Sequence, residues 1–279
     1  YFRDAGDDLD AAQAQKLEHI CRKLRLRPGL RLLDIGCGWG GLALYAAERH
    51  GAEVVGVTLS EAQASRAAAR VRAAGLAEKV AIRLVDYRDL REPDGFDRIV
   101  SVGMFEHIGR GQLPIYFARV FALLRPGGLF LNHGISMRPR GAVPPGGALR
   151  RLFLGDGRFS QRYIFPDSEL VPVSDVNVVS ERAGFEVRDV ENLREHYALT
   201  CRHWERRLMA RRGEATSLTD EVTFRTWRLH LAAAAQLFDS GAIGLHQTLL
   251  SKGDGGRSRL PLTRAHLYLP HGASEARTG

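Results

Sequence analysis

Apolar residues change their spacing several times along the chain, and each change predicts an element. Near the start, Leu17, Ile20, Cys21 and Leu24 recur at helical spacing, and Asp10-Ala11-Ala12-Gln13 reads as a capping box opening that helix. Short β-rich runs then alternate with helical stretches. Leu30–Asp34, Glu53–Thr58, Val80–Val85, Asp97–Val102 and Gly128–Ile135 predict strands, with helices at 40–49, 61–74 and 111–124 between them. Such alternation builds βαβ units and a parallel sheet covered on both faces.

From Met137 the pattern breaks. Arg138 to Arg150 is rich in Pro and Gly and predicts a loop. Residues 151–172 look irregular and carry Phe153, Phe159, Tyr163 and Phe165, which suits a lid or binding insertion better than a plain connection. Residues 174–193 resume helix then strand, and two long helices are expected near 195–212 and 218–239. Leu245–Lys252 and His266–Leu269 are expected to close an antiparallel edge.

Composition narrows the class. A chain of 279 residues with 44% apolar and 26% charged residues buries a full core, which excludes disordered, collagen-like and low-complexity readings. No apolar run approaches ~18 residues, so no transmembrane helix is expected. Cys21, Cys37 and Cys201 have no metal-ligand spacing and are too few for a disulfide framework, which fits a reducing cytoplasm and no metal site. Residue 1 is Tyr, so the numbering is expected to start inside a longer polypeptide.

Forty Lys and Arg against 32 Asp and Glu give a net charge of +8. A basic body attracts phospholipid headgroups, acidic carrier proteins or nucleic acid, whereas the plain alternative is a solubilising charge. Nucleic acid is disfavoured because the basic residues are not interleaved with aromatics in a recognisable module. Arg202, Arg206, Arg207, Arg211 and Arg212 lie off the stripe formed by Tyr197, Cys201, Trp204 and Leu208. They read either as a solvated helix face or as a cationic rim for lipid phosphates at a membrane surface.

The most informative stretch is Asp34-Ile35-Gly36-Cys37-Gly38-Trp39-Gly40-Gly41, directly after the first predicted strand. Glycines there let the backbone approach a ligand as it turns into a helix. Gly36, Gly38 and Gly41 also satisfy the dinucleotide pattern G-x-G-x-x-G, which alone is weak. Asp34 argues against it, since a carboxylate repels pyrophosphate and welcomes a cationic amino-acid moiety. The second strand ends in Thr58-Leu59-Ser60, with no acidic residue for a ribose diol.

Asp34-x-Gly36-x-Gly38-x-Gly40 resembles the first motif of class I S-adenosylmethionine-dependent methyltransferases, with Asp86-Tyr87 where such proteins fold over the adenine. Later come Phe105-Glu106-His107, Asn132-His133-Gly134-Ile135 and Glu195-His196-Tyr197. Together with Gly56-Val57-Thr58-Leu59-Ser60-x-x-Gln63, their order is similar to the cyclopropane-fatty-acyl-phospholipid synthase and mycolic acid cyclopropane synthase family, from residue 1 to about Leu269.

The resemblance implies an α/β fold: a doubly wound, mostly parallel, seven-strand-type methyltransferase sheet with an α-helical, loop-rich substrate cap. It implies one domain, with a cofactor core at 27–136, cap elements at 137–172 and 195–240, and closing strands at 241–270. Asp34, Gly36, Cys37, Gly38, Gly40, Thr58, Leu59, Gln63, Asp86, Tyr87 and Val102 are the implied S-adenosylmethionine contacts. Bicarbonate is the implied base, held by the Glu106 carboxylate, His133, the backbone of Ile135 and the Tyr197 hydroxyl. A further family ligand, a Cys shortly before a Tyr-Phe pair, would lie upstream of Tyr1-Phe2. The implied reaction is C-methylation of the double bond of an unsaturated fatty acyl chain, on a phospholipid, completed to a cyclopropane. Methylene or methyl branching, methylation of a small N, O or S nucleophile, and a non-enzymatic lipid-binding role stay open, as does a homodimer.

Overall fold

Seven strands form one sheet in the computed structural model of the chain, which describes residues 1–139, 158–166 and 168–268. In chain order they are β1 (Arg31–Ile35), β2 (Glu53–Thr58), β3 (Val80–Leu84), β4 (Phe96–Val102), β5 (Leu124–Met137), β6 (Glu186–Asn192) and β7 (Ile243–Ser251). Their spatial order is β3-β2-β1-β4-β5-β7-β6. The first five run parallel, and β7 inserts antiparallel between β5 and β6. The order reverses between β1 and β4, where an open sheet of this kind leaves a crevice beyond the strand ends.

Helices cover both faces, which is why β1 is buried along its length without alternation. Leu33, Ile35, Ile99 and Phe130 face one layer, which includes Phe117 of α4 (Leu113–Leu123) and, from α6 (Val173–Arg182), Val176. Leu32, Val54, Val100 and Leu131 face the other, formed by α1 (Leu9–Lys23), α2 (Gly41–His50) and α3 (Glu61–Ala73). A third cluster joins the carboxyl end of β5 to the helices α7 (Arg194–Ala210) and α9 (Glu221–Asp239). It packs Ala198, Cys201, Phe238 and Leu245, with Ile135, Phe159, Leu170 and Tyr197 against them. Truncating a ring as deeply buried as Phe238 to Ala costs ~3–5 kcal/mol.

Several expectations are corrected. The first helix is capped by Asp8, whose side chain accepts from the Ala11 N–H at 2.7 Å. Leu9 is already buried, so the helix begins before Asp10, and Asp10 instead pairs with Arg207 across to α7. His266–Leu269 is not an edge strand. Its described part lies in a 3-10 turn at Ala265–Leu267, with Leu267 buried, and Leu269 is outside the described residues. The sheet edge is β6.

The helix expected at 218–239 is α9, which starts at Glu221 because Asp220 is extended and accepts from the Thr223 N–H, and a short helix, α8 (Arg212–Leu218), precedes it. The irregular segment contains α5 (Arg158–Tyr163) and then returns to the sheet where Val171 bridges Ser136. Phe153 and most of the Pro/Gly-rich loop lie outside the described residues.

Candidate active site

The carboxyl ends of β1, β4 and β5 lie level, since Ile35 pairs with Ser101 and Ser101 with Asn132. Beyond them the chain turns through Gly36, Gly38 and Gly40, all at positive φ. A β-carbon on Gly36 would press on Met104 at 3.0 Å, and one on Gly40 on Ala67 at 3.1 Å. These two glycines serve packing. Gly38 and Gly103 differ, because a β-carbon on either would meet open space. No other protein atom lies within 4 Å of either β-carbon position, which leaves the open cradle that close approach of a ligand to backbone requires.

Asp34 sits under this cradle, buried, and its Oδ2 has no hydrogen-bond partner. Burial pushes its carboxyl up to about 7, opposed by the charge of Lys16 on α1. An orphan buried carboxylate is costly, and a cationic amino group would relieve it.

The other expected cofactor residues divide. Thr58 Oγ1 donates to Gln63 Oε1 at 2.8 Å, joining β2 to α3. Cys37 is buried against Gly56, whereas Leu59 is exposed. Tyr87 lies edge-on to Tyr116, ring centres 5.7 Å apart. Asp86 is clasped by Arg88 through both carboxylate oxygens, which holds its carboxyl low. Val102 ends β4, paired with His133.

Glu106 lies in the 3-10 turn Phe105–His107 after β4, anchored because the ring of Phe105 fills the space beside Gly134 that a β-carbon would take. Its Oε1 accepts from the Ile135 N–H at 2.8 Å, while Oε2 is buried without a partner. Burial raises this carboxyl to about 7, against the bond from Ile135. Tyr197, on the first turns of α7, is edge-packed between Trp204 and Phe238. Its hydroxyl is pushed to higher pKa by burial first, then by Cys201 and Glu106.

His133 lies on β5 two residues before Ile135, on the same face, buried, and forced down to about 3 by burial and the charges of Lys16 and Lys23. The structure thus brings Glu106, the Ile135 backbone and Tyr197 near one another, while His133 meets Gln247 of β7. The Ile135 N–H is held by Glu106, so an anion there meets the free Oε2, not an open N–H.

Two partners escaped sequence reasoning. Gln247 on β7 contacts His133 Nδ1 at 3.1 Å, and Lys16 supplies charge to Asp34. Neither stands in a motif, and only the antiparallel register of β5 and β7 reveals the first.

Most of the arginines are ion-paired at the surface. Arg202 pairs with Asp239, Arg207 with Asp10, Arg211 with Glu214, Arg212 with Glu221 and Arg228 with Glu205. The surface of α7 and α9 also exposes apolar side chains, among them Trp204, Met209, Val222 and Trp227.

A sheet of this order, with an antiparallel seventh strand, a glycine loop after β1 and a buried carboxylate beneath it, defines a methyltransferase fold whose cradle suits S-adenosylmethionine. More narrowly, the chain belongs to the mycolic acid cyclopropane synthetase family, whose model matches residues 1–248. It is 46% identical over 269 residues to a probable fatty acid methyltransferase of Pseudomonas putida, covering 96% of this chain and 66% of that protein. It is 41% identical over 253 residues to the cyclopropane-fatty-acyl-phospholipid synthase of Escherichia coli K12, covering 91% and 61%.

Among solved structures, the cyclopropane synthase MmaA2 from Mycobacterium tuberculosis superposes with a TM-score of 0.84 at 32% identity, covering 89% of this chain and 87% of that one. Mycolic acid cyclopropane synthase CmaA1, complexed with SAH and CTAB, gives 0.83 at 31% identity, covering 90% and 87%. The chain spans 66% or less of the two curated relatives' lengths. No described helix is long and apolar enough to cross a membrane.

Proposed function

We propose that this chain carries out S-adenosylmethionine-dependent methylation of the double bond of an unsaturated fatty acyl chain on a phospholipid, completed to a cyclopropane. The observation that carries the reading is the buried Glu106 carboxylate, with one oxygen fixed by Ile135 and the other unclaimed, beside an aromatic and aliphatic cap. S-adenosylmethionine supplies an electrophilic methyl group; Asp34 and the open backbone at Gly38 would hold its amino-acid end. Addition of a methyl cation to an alkene leaves a positive charge on carbon. The rings of Tyr197, Phe238 and Phe159 stabilise such a charge without trapping it, and cation–π attraction adds to the effect.

Ring closure then needs a proton removed from the new methyl carbon. Bicarbonate, held by Glu106 Oε2, the Tyr197 hydroxyl and His133, would supply a weak base there. A neutral His133 donates one hydrogen bond without adding a cation beside the carbocation. Burial that raises Glu106 to about 7 lets its carboxyl either donate to the anion or accept from its hydroxyl.

Contact with a bilayer rests on the exposed apolar side chains of α7 and α9 more than on the paired arginines. Methyl branching is the second reading, favoured because the relative at 46% identity is named a fatty acid methyltransferase and another, at 38%, a tuberculostearic acid methyltransferase. Incubation with an unsaturated phospholipid and labelled S-adenosylmethionine, followed by mass spectrometry, separates them. Gain of one CH2 with loss of the double bond supports the ring; retained unsaturation supports branching. No label in lipid, despite cofactor binding, removes the proposal.

A further inference from the structure

His133 and Gln247 face each other across the β5–β7 ladder, and Glu191 of β6 faces Gln247 from the other side. The three polar side chains thus form one row across the sheet, on the face that carries Ile135. Gln247 is fully buried and His133 nearly so. Glu191 is already committed, to His19 and Lys23 of α1, each at 2.6 Å. The side chain left to meet His133 is therefore Gln247, whose Nε2 lies 3.1 Å from His133 Nδ1.

The Gln247 amide turns its NH2 toward Nδ1, and an NH2 can only donate, so in this arrangement Nδ1 is the accepting nitrogen and Gln247 Oε1 is left buried without a partner. A neutral imidazole has one donor and one acceptor. With Nδ1 accepting, the ring proton sits on Nε2, which has no partner among the described residues. The surroundings oppose a second proton: burial does so most, the charges of Lys16 and Lys23 add to it, and Glu191 acts the other way.

We propose that Gln247 is a positioning residue that locks His133 in the Nε2–H tautomer, making His133 a fixed hydrogen-bond donor and not a proton acceptor. The opposite tautomer would present a lone pair at Nε2, which would repel the oxygens of a bound anion and compete for the proton the reaction releases. The inference rests on the proposed reaction for its consequence but not for its test.

That test is nitrogen NMR of the His133 ring in the intact, cofactor-loaded protein, the signal assigned by its loss in His133→Gln. The expected result is a neutral ring with the proton on Nε2 from about pH 6 to 8. A proton on Nδ1, or a charged ring in that range, overturns the proposal. The native spectrum does not depend on any variant folding.

Gln247→Glu then replaces a donor with an acceptor, which should move the proton to Nδ1 and raise the ring pKa. Lipid methylation should fall ~10–100-fold while S-adenosylmethionine affinity stays within about twofold, as for a lost charge-assisted hydrogen bond. Gln247→Leu should leave a tautomer mixture and a smaller loss. Unchanged turnover in Gln247→Glu despite a moved proton also overturns the role. A native protein with the Nε2–H ring but no lipid product would instead remove the proposed reaction and leave the tautomer lock standing.

Discussion

Both ends of the crevice bury a carboxylate with an unclaimed oxygen, Asp34 Oδ2 and Glu106 Oε2, but they differ in how much of the rest is held in place. At the β1 end, Asp34 is buried with an unclaimed oxygen under backbone that faces open space at Gly38 and Gly103. At the β5 end, Glu106 is fastened to the Ile135 N–H and His133 meets Gln247. The first region is left incomplete, so a bound molecule finishes it. The second is wired in advance except at Glu106 Oε2, and its fixed groups need not reorganise while charge develops. Substitutions at the β1 end should therefore act on binding, and substitutions at the β5 end on the rate with binding preserved.

The largest expected effect is at Gly38. A valine there meets a backbone at φ +54°, which costs on the order of 1–3 kcal/mol, and fills the open cradle. Gly38→Val should reduce S-adenosylmethionine binding below detection by calorimetry. Retained binding would show that the ligand approaches elsewhere.

Next comes Glu106→Gln. The amide oxygen still accepts from Ile135, so the fold survives, but the second carboxylate oxygen is gone. Losing one buried charge-assisted bond costs ~1.5–3 kcal/mol, hence lipid product should form ~10–100-fold more slowly. Cofactor affinity should scarcely move, and a parallel loss of both would break the division between the ends. Tyr197→Phe removes a single hydroxyl and should cost less, roughly tenfold in rate. Added bicarbonate should speed a bicarbonate-depleted native preparation and do little for Glu106→Gln.

The comparison also explains what was legible in the sequence. The β1 end is local: strand, glycine loop and helix follow one another within about 20 residues, so spacing alone carries Asp34, Gly36, Gly38 and Gly40. The runs of β1 and β2 mark themselves by being buried on both faces. The β5 end is assembled from residues 106, 133, 197 and 247, and family resemblance named only the first three. Gln247 became visible through register, because an antiparallel partner is not fixed by residue type. The ion pairing of the arginines near α7 was hidden for a related reason. Their acidic partners, Asp10 on α1 and Glu221 and Asp239 on α9, are distant in sequence, so a helix wheel shows a charge stripe where the fold shows ion pairs.

The smallest effect is on stability, and its sign is informative. Asp34 and Glu106 both have carboxyls raised by burial, to about 7, above the ~4 of an unfolded chain. Between those values the folded protein binds more protons than the unfolded one, so stability falls as pH rises from about 4 through 7. His133 works the other way at the acid end: its ring is held low, so stability is lost as pH drops below about 6.5. The cofactor-free protein should thus lose Tm between pH 6 and 8, where the two carboxyls finish ionising.

Asp34→Asn removes one of those two carboxyls while keeping the shape. It should raise the Tm of the cofactor-free protein at pH 8 and flatten the decline, while weakening S-adenosylmethionine binding by deleting the counter-charge to its amino group. Stability and binding would then move in opposite directions at one residue, as expected where a buried charge is kept for a ligand. If Asp34→Asn lowers Tm at pH 8, the carboxylate is holding the fold together through Lys16, and the β1 end is wired like the β5 end after all.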